Sequence, residues 1–519
     1  MLRTFLVAAL AGGLWVFLTL PSFTTPVGAS DSGALDTVGR TLFAVSTFVL
    51  VVFVFFATPG LAADLVVSER RRETLDILLT TPLSPVSILL AKLGARLAPL
   101  AVMVAASFPI VSVSLLFGGV RTEQVLGLFA LSLGTILGTA GPALLVSTCA
   151  RRLGTAATLS YVLPLFFVFA LPALVGILVP DDAAATPILV VLHPLFAAIA
   201  VSVENGAPFP EPLPAGLLHL GAGAVVAALC VAGAALRLGR ERSGSALPDR
   251  LLGLLVALRL RRPDATARRP GRLFRGMANP VLWKEVNLVN ASHSRVLLLI
   301  ILVLFGTLEA LLIVSGESDD RIAHLMILGA EGLLLLVVTA SNAGACVASE
   351  RESGSLDLLR VTLLTPADIA RGKVAGVLRS LLPLAAVPLA HVLVYGLLGP
   401  LSLSAFPALL SALAALLLFF AVSGVTSSSI HPRAAKAVRR SIALVAILVV
   451  GVPILLMILA TGSRGVDTPL EFLAFSNPIA IIVFPVEHLS SSRSDTESAR
   501  FLIYAAAWAG LYFLVALLR

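Results

Sequence analysis

The chain has 519 residues, 58% of them apolar and 13% charged, with a net charge of +8 and a mean hydropathy of +1.01. Its apolar runs reach the roughly 18 to 20 residues that cross a bilayer, so the basic surplus reflects membrane topology and anionic inner-leaflet lipid rather than nucleic acid. Cys149, Cys230 and Cys346 are isolated, lie in or beside apolar runs, and suggest no metal or disulfide framework.

The pattern predicts an all-α polytopic membrane protein of about 12 transmembrane helices, arranged as two parallel six-helix repeats. In the first half the expected spans are 3–20, 41–63, 97–118, 124–148, 156–179 and 215–237. In the second they are 295–315, 324–348, 377–399, 404–426, 441–461 and 500–518. With both termini inside, 31 of the 37 basic residues fall in inner segments, leaving Arg40, Arg121, Arg321, Arg464, Arg493 and Arg500 outside. An error of one span would invert that tally. The first apolar run has a second reading: Arg3, an apolar core and Val27-Gly28-Ala29 also have the form of a signal peptide with its cleavage site. Residues 180–214 read as an outer loop with Asp181, Asp182, Glu204 and Glu211 and no basic residue.

Three units follow: residues 1–237, a basic inner linker at 238–278, and residues 279–519. The linker holds ten arginines and no lysine, and its segment 248–262 reads either as a helix lying in the headgroup layer or as a solvated tether. Asn279-Pro280-Val281-Leu282-Trp283-Lys284-Glu285 follows as an interfacial segment, with Trp283 and Lys284 as headgroup-level anchors.

The sequence repeats itself without a gap at an offset of 281 residues. Ser68-Glu69-Arg70 and Thr74-Leu75-Asp76 recur as Ser349-Glu350-Arg351 and Ser355-Leu356-Asp357, and the register runs on to Lys92 and Lys373. In each copy one helix is expected from the Ser-Glu-Arg to the Leu-Leu, with Glu69, Glu73 and Asp76 on one face and Leu75, Leu78 and Leu79 beside them. Ser349 with Glu352 reads as a capping box. Pro82 and Pro85 stop the helix in the first copy and Pro366 in the second, while Ser84-Pro85 and Thr365-Pro366 read as the N-cap and first residue of the next helix.

The loop pattern, Ser-Glu-Arg with Thr/Ser-Leu-Asp-x-Leu, Ser/Thr-Pro and a lysine, resembles the permeases of type-2 ABC exporters. The segment 279–285 is similar to the amphipathic elbow that opens such a permease, and the small, basic loops at 147–157 and 428–438 add to the likeness, as do His193-Pro194 and Asn477-Pro478. The resemblance implies an ATP-driven exporter subunit in a bacterial cytoplasmic membrane, with two permease units fused. It also implies coupling loops that seat in cytoplasmic ABC ATPase subunits. The coupling residues would be Glu69, Arg70, Leu75, Asp76, Pro82 and Lys92, with Glu350, Arg351, Leu356, Asp357, Pro366 and Lys373 as their counterparts. Three departures make the copies unequal: Glu73 stands where the family has the glycine kept as Gly354, Ala91 replaces Gly372, and Leu363 replaces the proline kept as Pro82.

No nucleotide site is expected, because Gly372-Lys373-Val374 lacks the glycine loop and hydroxyl residue of a P-loop, and no catalytic, cofactor or metal spacing falls in a plausible pocket. Two carboxylates remain. Glu309 and Glu331 lie at about equal depth, about 9 to 11 Å below the outer surface, on consecutive spans. They read either as part of a transport path or as a hydrogen-bonded pair stitching two helices. Two other functions stay open: a secondary transporter of the major facilitator type, whose Gly-x-x-x-Asp-Arg-x-Gly loop this chain lacks, and a scaffold that binds an ATPase without transporting. The substrate is not legible.

Overall fold

The computed structural model describes residues 32–150, 152–179, 182–202, 210–242, 279–285, 302–307, 309–310, 313, 321–452, 476–490 and 495–518. Among them it is all helix. In the first half a long helix α1 (Ser32–Ala62) leads into two short ones, α2 (Val67–Arg71) and α3 (Leu75–Thr80). Then come α4 (Pro85–Ala106), α5 (Phe108–Ser112) with a following 3-10 turn, α6 (Thr122–Cys149), α7 (Leu153–Leu178), α8 (Asp182–Leu192), α9 (Pro194–Ser202) and α10 (Pro212–Arg242). A short α11 (Pro280–Lys284) opens the described part of the second half. It continues with α12 (Arg321–Cys346), α13 (Ala348–Glu352), α14 (Ser355–Arg360), α15 (Pro366–Leu398), α16 (Ala405–Ile430), α17 (Ala434–Ala446), α18 (Pro478–Ser490) and α19 (Asp495–Leu518).

Eight of the described helices are long and apolar enough to span a membrane, nine if the bent pair α8–α9 counts as one. The protein is therefore an all-α polytopic membrane protein. The expected span 3–20, most of 295–315, the linker segment 248–262 and the second part of 441–461 lie outside the described residues.

The described residues of 180–214, expected as an outer loop, are largely helical: α8 and α9 meet at His193 with a bend of 109°. Hydrogen bonds fix the depth of that elbow. His193 Nε2 lies 2.8 Å from the Val168 carbonyl, ten residues before the end of α7, and His219 Nδ1 lies 3.0 Å from the Val191 carbonyl. The far end of α9 returns to the surface, because Gln124 in the first turn of α6 donates to the Val201 carbonyl at 3.3 Å. The pair dips in and comes back. No Lys or Arg marks such a segment in sequence; His219 pairs the Val191 carbonyl beside the bend, and His193 pairs the Val168 carbonyl, which Pro172 leaves without a helical N–H.

The loops hold a second difference. The single helix expected from Ser-Glu-Arg to Leu-Leu is broken in both copies, because Glu73 and Gly354 take left-handed φ values of 59° and 71°. That turns the chain between α2 and α3 and between α13 and α14, so the expected stripe of Glu69, Glu73 and Asp76 is not one helix face. The Ser349–Glu352 capping box does not form either: α13 has no side-chain cap, and Glu352 Oε1 instead accepts from the Ala434 amide, 3.0 Å away, at the start of α17. The helix starts after the loops are as expected. Ser84 caps α4 by accepting from the Ser87 amide, and Thr365 with Asp368 forms a capping box on α15.

Helices α6 and α10 form the closest pair in the first half, and small residues make this possible. A Cβ on Gly216 would sit 2.2 Å from the Gly127 carbonyl oxygen, and one on Gly223 would sit 2.2 Å from that of Gly134. Backbone meets backbone at both crossings, the packing that small residues permit in hydrocarbon. Gly223→Val should therefore force the helices apart and destabilise the folded chain by roughly 1–3 kcal/mol, read as a lowered thermal midpoint in nanodiscs. Gly221→Val, where a side chain meets open space, should leave the midpoint near that of the wild type.

Candidate functional site: the paired charged loops

Each charged loop hangs from the end of the span before it, and the break between the two is bridged from a neighbouring helix. Ser147 Oγ, at the end of α6, accepts from the Val66 amide at 3.0 Å and the Val67 amide at 3.3 Å. Ser428 Oγ, at the end of α16, does the same for the Val347 and Ala348 amides, at 3.0 and 2.8 Å. An arginine then reads the carbonyls that this neighbour leaves open. Arg70 donates to the Thr148 and Ala150 carbonyls at 3.1 and 2.9 Å, and Arg351 to those of Ser429 and His431 at 2.7 and 3.2 Å. Every one of these pairs maps onto its counterpart at the offset of 281. Partial burial and the Lys436 and Arg440 cations hold the His431 imidazole below its usual range, so its neutral Nε2 can face Arg440 Nη1 at 3.3 Å.

The repeated glutamates face inward. Glu69 receives Lys92 of α4 at 2.6 Å and also holds the Thr74 hydroxyl. Glu350 receives Lys373 of α15 at 2.8 Å and Lys284 of α11 at 2.5 Å, and Lys373 also reaches Glu285 at 2.5 Å. The loop is clamped to the helix that follows it in both copies, but only the second clamp is dry. The Lys373 side chain is 1% exposed, against 24% for Lys92. The elbow makes the difference. Asn279 caps α11 and donates to the Asp368 carbonyl, and a Cβ at Gly372 or Gly376 would collide with Val281 at 2.7 Å or with Glu285 at 2.5 Å. Ala91 and Ala95 occupy those two positions in the first copy, and their methyl groups would obstruct an element laid on α4 in the same way.

Of the other expected loop residues, Arg70 and Arg351 are the carbonyl readers described above, and Leu75 and Leu356 are buried and pin the loops to the helices. Pro82 and Pro366 are exposed. What remains bare is the tip. Asp76 and Asp357 are exposed beside Ile77 and Leu358, which are 67% and 70% exposed.

Sequence reasoning missed how the two loops meet. Arg71 and Glu352 occupy the same place in the repeat with opposite charge, and Arg71 Nη1 binds Glu352 Oε2 at 2.9 Å while its Nη2 reaches the Ser349 carbonyl at 3.0 Å. Behind them Val67, Leu153 and Ala156 share one small buried cluster with Ala348, Ala434 and Ala437, their counterparts 281 residues on. Contacts between the halves come in reciprocal sets: Thr158 Oγ1 meets Ser341 Oγ at 2.6 Å, and their counterparts meet where Arg439 donates to the Gly60 carbonyl at 3.3 Å. Asp64, buried and without an acidic counterpart, sits between Arg96 at 3.5 Å and Arg439 at 3.7 Å. The opposite charges at positions 71 and 352 were the available signal.

The two membrane carboxylates do come together. Glu309 Oε1 binds His391 Nδ1 at 2.6 Å, Tyr395 donates to Glu309 Oε2 at 2.7 Å, and Glu331 lies in the same cluster. His391 and Tyr395, four residues apart on α15, were not anticipated.

Residues 16–204 match the family model for the ABC-2 family transporter protein. Over that stretch the chain is similar to ABC-2 family transporters. No curated protein and no solved structure matches the chain. The match includes the first charged loop and its clamp, so the chain carries the same loop architecture once inside the matched region and once beyond it.

The two clamps predict unequal sensitivity. Lys373→Met should leave the buried Glu285 carboxylate without its cation, Glu350 keeping Lys284, and destabilise the protein by about 3–5 kcal/mol. Lys92→Met, at a half-wet pair, should cost about 1 kcal/mol or less. Thermal midpoints of the two variants in nanodiscs test the difference.

Proposed function

We propose that the chain is an ABC-2 transporter, the permease of an ATP-driven exporter, with two permease units joined in one chain and energy supplied by separate cytoplasmic ATPase subunits. One observation carries the reading. Each loop is rigidly fixed at its base, by arginine to the neighbouring span and by glutamate to the next, while its tip presents an exposed carboxylate beside a bare aliphatic side chain. A loop built in this way transmits a push. An isoleucine or leucine held out in water on a rigid helix suits insertion into a partner's groove, and displacement of the tip would move α4 or α15 with it through the lysine.

In this reading Glu69 and Glu350 are the struts of the coupling loops, and Asp76, Ile77, Asp357 and Leu358 are the contact residues. The two-unit arrangement is supported by the reciprocal contacts between halves, which are those a two-fold axis along the membrane normal produces. In such an arrangement two identical units would set like charges against each other at positions 71 and 352; Arg opposite Glu favours pairing of unlike halves. Both loops and both termini are assigned to the cytoplasm on the charge distribution. The match over residues 16–204 weighs against the major facilitator reading.

The purified chain should show no ATPase activity of its own. Ile77→Asp with Leu358→Asp should abolish co-purification of the ATPase subunit at least about tenfold without changing the melting midpoint, since both side chains are exposed. Undiminished association of a folded double variant would remove the loops as the docking surface.

A further inference from the structure

Near the membrane face opposite the loops, the second half holds a group of polar side chains that loop coupling does not use. Glu309, Glu331 and His391 each offer a ligand atom, and those atoms lie within 4.8 Å of one another. They come from three different segments: Glu309 from the helical residues 309–310, Glu331 from α12 and His391 from α15. Glu309 is satisfied, because one oxygen faces His391 Nδ1 and the other accepts from Tyr395. The remaining atoms are not. Glu331 Oε2 and His391 Nε2 are buried without a hydrogen-bond partner among the described residues, and their residues are only 3% and 5% exposed.

Two orphaned lone-pair atoms in a dry site are costly unless something binds them. With Glu309 accepting from Nδ1–H, the His391 Nε2 lone pair points away from that bond. Carboxylate–histidine pairs of this kind orient an imidazole toward a metal ion. The rings of His391, His324 and Tyr395 pack around the group at inclined angles, with His324 and Tyr395 centroids 4.1 Å apart, and brace the imidazole. A small cavity lies on the loop-facing side of Glu331, lined by Phe305, Leu334, Val338 and Pro388.

We infer that Glu331 and His391, oriented by Glu309 and Tyr395, form a binding site for one divalent transition-metal ion of the zinc class. One imidazole nitrogen with carboxylate oxygens is the donor set of a borderline ion, and it is too poor in oxygen for calcium. The site belongs to the second half alone. At the offset of 281 the positions of Glu309, His324, Glu331, His391 and Tyr395 are held by Gly28, Phe43, Leu50, Ile110 and Ser114, so it is an addition to the repeated architecture. It would tie α12, α15 and the segment around residue 309 together.

The full-length chain, stripped with a chelator in nanodiscs and dialysed against Zn2+ alone, should retain one zinc per chain by elemental mass spectrometry and gain thermal stability from it. Glu331→Gln and His391→Gln should each abolish that stoichiometric zinc. Glu309→Gln and Tyr395→Phe should weaken binding by about 10- to 100-fold, as loss of an outer partner does. A variant that melts like the metal-free wild type counts as folded. A folded wild type that binds no zinc would overturn the site, and so would equal zinc content in the wild type and a folded Glu331→Gln/His391→Gln double variant.

Discussion

A helix that ends at a membrane boundary leaves carbonyls and amides that need partners, and in this protein those partners come from the neighbouring span. Ser147 and Ser428 take the amides where α1 and α12 break, while Arg70 and Arg351 take the carbonyls at the ends of α6 and α16. The loop is thereby a rigid extension of two helices, and the Glu–Lys clamp adds a third. Its geometry depends on one backbone kink. Gly354 adopts the left-handed conformation freely, whereas Glu73 adopts it at a cost of about 1–2 kcal/mol, which the surrounding hydrogen bonds must offset.

The two copies share this frame and differ in how dry it is. The elbow α11 seals the second clamp, so Lys373 is buried between the dry Glu285 carboxylate and Glu350, which Lys284 also binds. The first clamp stays half open to solvent, and Asp64 adds a buried carboxylate held by one arginine from each half. Such asymmetry, with Arg71 set against Glu352, allows one chain to position two loops that a partner would not meet identically.

Much of this was legible in the sequence because the repeat runs without a gap: the loops, their lysines, the N-caps at Ser84 and Thr365 and the long helices all follow from motif and periodicity. The kink at Glu73 was not, because a glutamate in a helical pattern gives no sign of a left-handed residue; only the glycine in the other copy hints at it. The inward turn of Glu69 and Glu350 depends on lysines 23 residues further along, whose reach the loop pattern does not specify. The α8–α9 elbow lacks both the length and the charge by which spans are recognised. The carboxylate pair was readable from depth alone. Its histidine and tyrosine were not, because they lie on a helix far along the chain and periodicity does not say which faces meet.

The central claim is that the two halves of one chain face each other at their charged loops. Its most direct test replaces Arg71 and Glu352 by cysteine in a cysteine-free background, with a protease site inserted in the 238–278 linker. After treatment with a short bifunctional maleimide in membranes and then protease, the account predicts that the two halves remain covalently joined as a single-chain species. Halves that separate after cleavage, or cross-links found only between different chains, would contradict it.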